Sequence, residues 1–114
     1  MKQKRRKREP EFAHAPWGLC TRRIVMLAFP DAQIIDIAGP LEVFGRAARL
    51  LTEERGWRVP AYSVEIAATK AGPLATSSGI RLIADRSIAH VRGPIDTLLW
   101  RAGAAPPLRC AIAR

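Results

Sequence analysis

Apolar positions fall along this chain in blocks, and the period of the pattern changes from block to block. Ile24 to Phe29 is a continuous apolar run, as expected of a strand covered on both faces of a sheet. A loop with Pro30 and Asp31 follows. Pro40 suits the first position of a helix, where its missing N–H costs nothing, so a helix is predicted from Pro40 to about Arg55. Leu41, Phe44, Ala48 and Leu51 recur at three- and four-residue spacing and form its buried stripe. Glu42–Arg46 and Arg49–Glu53 are i,i+4 pairs on its wet side. Gly56 stops it.

Tyr62 to Ala68 alternates, with Val64 and Ile66 facing one way, and predicts a second strand. Ala71 to Gly79 is rich in small residues, and Thr76-Ser77-Ser78-Gly79 belongs to a turn or hairpin. Ile80 to Ala84 predicts a short strand, and Ser87 to Val91 one helical turn capped by Ser87. Ile95 to Leu99 begins a further apolar strand. Strand, helix, strand, small hairpin, strand is the opening half of an α/β domain. No internal repeat interrupts this order.

The chain has 114 residues, 48% of them hydrophobic, which is short for a complete doubly wound domain. Its net charge of +9 suggests nucleic acid until it is divided by position. Residues 1–23 carry eight Lys/Arg and two Glu, net +6. Residues 24–96 carry eight of each sign and are neutral, and residues 97–114 add three Arg. The basicity therefore lies in the ends, and no basic patch on a folded face is indicated. Residues 1–22 are predicted to be a disordered basic tail. Such an arm could bind nucleic acid or an anionic surface, but a charge run alone has little specificity, and a solvated tail, or an extension from a misassigned start codon, is the favoured reading.

Cys20 and Cys110 lie in the two ends and have neither metal nor disulfide-framework spacing. Two free thiols fit a reducing, cytoplasmic setting. No apolar run reaches the length of a membrane span, and Glu9-Pro10-Glu11 after the basic start makes a poor signal peptide. No Gly-rich phosphate loop and no Ser-His-Asp arrangement appears. His14 and His90 have no evident partners. No cofactor and no metal are expected.

The chemistry-bearing candidate is Asp36, in the apolar stretch leading to Gly39-Pro40. One carboxylate where a buried strand feeds a helix is how many α/β domains build a site at the carboxyl end of the sheet. A helix-start carboxylate satisfied by backbone N–H groups and the macrodipole is the other reading.

The segment Asp36-Ile37-Ala38-Gly39-Pro40-Leu41-Glu42-Val43-Phe44 resembles the D-x-x-G-P-x-E-V-F signature of the PfpI-like (class I glutamine amidotransferase-like) superfamily. It looks most like the N-terminal domain of GlxA-type transcription regulators of the AraC family. The resemblance covers about residues 23–99 and includes Thr76-Ser77-Ser78-Gly79-Ile80 and Ile95-Asp96-Thr97-Leu98-Leu99. It implies a flavodoxin-like α/β sandwich with a mostly parallel sheet, often dimeric, of which the N-terminal half is present. Enzymes of the superfamily, isonitrile hydratases among them, carry a nucleophilic Cys on a tight strand-to-helix turn, with an acid from the first strand–helix junction pointing at it. Asp36 matches that acid, and the resemblance marks Asp36, Gly39 and Pro40 as ligand-binding. No matching nucleophile follows, since Cys20 precedes the first strand and Cys110 lies past Leu99. No catalytic activity is therefore expected of this chain.

In the family the last strand continues Leu-Leu-Val-Ala-Gly-Gly, whereas here Trp100 opens WRAGAAPPLRCAIAR. Val-Ala-Gly-Gly can be written GTG GCG GGC GGG, and loss of one G gives TGG CGG GCG and a Gly codon, which reads Trp-Arg-Ala-Gly. Residues 100–114 are accordingly expected to be a frameshifted tail. The resulting expectation is a truncated ligand-sensing domain of a transcription regulator. It would answer to a small-molecule effector and reach DNA only through a missing C-terminal helix-turn-helix domain. Two alternatives stand beside it: a fragment of a stand-alone PfpI-like cysteine hydrolase or hydratase, and a decayed gene product without function.

Overall fold

The computed structural model describes residues 20–100. Strand β1 (Arg22–Leu27) leads into helix α1 (Ile34–Arg55), then strand β2 (Tyr62–Ala68). Strands β3 (Gly72–Ala75) and β4 (Arg81–Ala84) form a hairpin. A two-residue strand β5 (Arg86–Ser87), a single 3₁₀ turn (Ile88–His90) and strand β6 (Thr97–Trp100) complete the described chain.

The main sheet has the order β5-β2-β1-β6 and is parallel throughout. β1 is central, with Met26 between Ile66 of β2 and Leu99 of β6. This is the reason for its unbroken apolar run: Ile24, Val25 and Met26 are all buried, whichever face they point to. Alternation assigns Ile24 and Met26 to one face with Tyr62, Val64, Ile66 and Leu99. Helix α1 lies on that face. Ile37 and Leu41 join Met26, Ile66 and Leu99 in the core, and Phe44 meets Tyr62 edge-on with ring centroids 5.1 Å apart. The hairpin contributes Leu74, Leu82 and Ala84 to the same core and turns Pro73 and Ile83 outward.

The opposite face carries Arg23, Val25, Leu27, Glu65, Ala67, Arg86, Leu98 and Trp100 by the same alternation. An ion-pair row crosses three strands there. The Arg23 guanidinium donates to Glu65 Oε1 through Nε at 2.8 Å and through Nη2, and Arg86 Nε donates to Oε2 at 3.0 Å. Glu65 keeps 15% of its side chain exposed. Burial pushes its carboxyl up, but hydrogen bonds and charge from Arg23 and Arg86 outweigh that and hold it below the usual value. This row was not foreseen.

Several expectations need correction. The first strand is Arg22–Leu27 rather than Ile24–Phe29: its ladder with β2 starts two residues earlier, at Arg22 paired with Tyr62, and its last bond to β2 is from the Ala28 N–H to the Ala67 carbonyl at 2.9 Å, so Arg22 is strand rather than tail. The helix begins at Ile34, six residues before Pro40, which lies inside it. Burial of Ile37 against Met26 and Ala68 holds those first turns helical despite the proline. Arg49 and Glu53 pair at 3.3 Å, but no ion pair joins Glu42 to Arg46 among the described residues; both are exposed, and water competes for them. The small-residue stretch holds β3, and β6 runs Thr97–Trp100, with Trp100 still paired to Leu27.

Other expectations hold. β2 spans the foreseen residues. Gly56 ends α1 at φ 65° with its N–H on the Leu51 carbonyl, and Ser87 Oγ accepts from the Ala89 N–H at 3.3 Å. The readings placed on residues 1–19 and 101–114 lie outside the described residues.

Candidate functional site at the carboxyl end of the sheet

Strand β1 leads by way of α1 to β2 on one side and pairs with β6 on the other. Its carboxyl end is therefore the point where the sheet changes direction, the place where open α/β sheets bind ligands. The loop from Ala28 to Gln33 leaves that end. It is held by the hairpin, since the Asp31 N–H donates to the Ala75 carbonyl at 3.0 Å and the Ser77 N–H to the Ala32 carbonyl at 3.0 Å. Asp31 itself has φ 67°, a left-handed conformation uncommon outside glycine and fixed here by those two bonds.

Helix α1 begins without a side-chain cap at Gln33. Asp36 occupies the third helical position, half-buried, with its N–H on the Gln33 carbonyl at 3.1 Å. A carboxylate in this turn faces the positive end of the helix dipole. Asp36, Gly39 and Pro40 stand at i, i+3 and i+4, so the three sequence-predicted ligand residues share one face of the first two turns. That face flanks the one through which Ile37 and Leu41 enter the core. A Cβ placed on Gly39 would meet nothing within 4 Å. The arrangement places one carboxylate on the face of α1 that carries Gly39 and Pro40.

Cys20 is exposed and precedes β1. It sits at the amino end of the strand whose carboxyl end leads to Asp36, roughly 20 Å of extended chain away. His90 is exposed in the 3₁₀ turn. Among the described residues no group of three or more His, Cys, Asp or Glu side chains could hold a metal ion, and no helix is long and apolar enough to cross a membrane.

No protein-family model matches the chain, and no curated protein matches it in sequence. Solved structures do match in shape. An AraC family transcriptional regulator from Pseudomonas putida superposes with a TM-score of 0.57 at 17% identity, covering 77% of this chain and 51% of that one. A THiJ/PfpI family protein from Pseudomonas syringae superposes with a TM-score of 0.59 at 18% identity, covering 88% of this chain and 36% of that one. The fold is ThiJ/PfpI-like. The chain thus spans about half the length of the regulator and about a third of the second protein. The four-stranded parallel sheet with α1 on one face is the part of the ThiJ/PfpI-like fold present in the described residues.

Proposed function

We propose that this chain is part of the effector-sensing domain of an AraC-type transcription regulator and works in the cytoplasm. The observation that carries this reading is the position of Asp36 relative to the thiol. A carboxylate stands at the ligand-binding end of the sheet, while Cys20, the cysteine among the described residues, stands at the far end. A nucleophile must lie within hydrogen-bond reach of its base, and these two do not. A carboxylate can recognise a ligand by accepting its N–H or O–H. The structural likeness to the P. putida regulator agrees with this role. A homodimer and DNA contact through a separate domain belong to the same proposal.

The second reading, a piece of a PfpI-like cysteine hydrolase or hydratase, is favoured by the likeness to the P. syringae protein over 88% of this chain. A thermal-shift screen of small molecules on the full chain separates the two. The sensor reading expects a ligand that stabilises the wild type, binds Asp36→Asn at least about tenfold more weakly, and is recovered chemically unchanged. A ligand that is consumed, or that stabilises both proteins equally, contradicts it.

A further inference from the structure

A cleft of about 380 Å³ lies between the loop after β1 and the hairpin, lined by Pro30, Thr69, Lys70, Pro73 and Leu74. Its size falls within the range of small-molecule sites, and Asp36 is not among its walls. Three of the five lining residues are apolar, and two of those are prolines whose rings are fixed in shape. The walls are also fixed relative to each other, because the Asp31–Ala75 and Ser77–Ala32 backbone bonds tie the loop to the hairpin. A cleft that needs no ordering loses little affinity on binding. Lys70 is the charged lining residue and makes no ion pair among the described residues.

From this juxtaposition we propose that the cleft binds a small organic monoanion, a carboxylate with a compact apolar body. The apolar body would lie against Pro30, Pro73 and Leu74, and the carboxylate would face the Lys70 ammonium, with the Thr69 hydroxyl as a further donor. A multiply charged phosphate would leave the apolar walls unused, and a neutral hydrocarbon would leave the lysine unused. The inference does not rest on the regulator reading, since it concerns a different cleft.

The test is a titration of the ¹⁵N-labelled full chain with benzoate, followed by amide shifts, with benzyl alcohol as the uncharged counterpart. Saturable shifts at Thr69, Lys70 and Leu74 are expected. Lys70→Gln should weaken benzoate about tenfold and leave benzyl alcohol unaffected, while Lys70→Arg should retain benzoate. Lys70 is exposed, so these substitutions leave the core intact, which the unshifted remainder of the spectrum would verify. Rising salt should weaken benzoate alone. No saturable shift at these amides, or equal benzoate affinity in the wild type and Lys70→Gln, would overturn the proposal.

Discussion

Ile37→Ala should lower the stability of the chain by about 3 kcal/mol, a fall of roughly 10–20 °C in melting temperature for a domain of this size. Ile37 is 2% exposed and touches the core that joins β1, β2 and the hairpin. Removing its outer carbons leaves a cavity where Met26, Ala68 and Leu74 cannot close in without shifting the sheet. Ile35, two residues away on the same helix, is 70% exposed, so Ile35→Ala should change stability by less than about 0.5 kcal/mol. The contrast tests where the helix begins. With a helix starting at Pro40, both isoleucines would lie in a loop and the two variants would behave alike. Urea denaturation of both, followed by far-UV circular dichroism, decides it.

Glu65→Gln should cost about 2 kcal/mol near neutral pH, the scale of hydrogen bonds to a charged group. Most of that loss comes from Arg23, which stands 21% exposed across from a carboxylate 15% exposed. Arg86 is 54% exposed, and its bond adds little because water screens it. The pH dependence follows from the lowered carboxyl. Folded Glu65 holds its proton less tightly than unfolded Glu65, so its contribution is complete above the ordinary Glu value of about 4.3. It is lost as pH falls through the lower folded value. The advantage of wild type over Glu65→Gln should be level from about pH 6 to 8 and shrink steadily below about pH 4. An advantage that grows on acidification would mean that Glu65 is held protonated in the fold.

The sheet was readable where burial writes itself into the pattern. β1 is sandwiched between two strands and reads as a solid apolar run, and β2 was legible from Val64 and Ile66, spaced two apart on the face they share with Ile24 and Met26. The end of α1 was readable because Gly56 is the residue a left-handed cap requires. The start was not. Gln33 offers no side-chain cap, and Pro40 seven residues on resembles a first helical position. What holds residues 34–39 helical is the packing of Ile37, a tertiary effect that local signals do not carry. β3 was hidden because Gly72 and Pro73 oppose strand formation, and the strand exists through its pairing with β4.

The same division governs the site. Asp36, Gly39 and Pro40 were named together, and they do share a helix face, but the shared face arises because all three lie inside α1 rather than at a junction before it. The Glu65 row was out of reach, since Arg23, Glu65 and Arg86 become neighbours only once the order β5-β2-β1 is known. The Lys70 cleft is likewise formed by three separate segments.

The proposal that Asp36 reads a ligand is tested most directly by calorimetric titration of the full chain and of Asp36→Asn with a compound that the thermal-shift screen selects. Saturable binding to the wild type, at least about tenfold weaker in Asp36→Asn, with the compound recovered unchanged, is the predicted result. Equal affinity for the two proteins, or consumption of the compound, would contradict it.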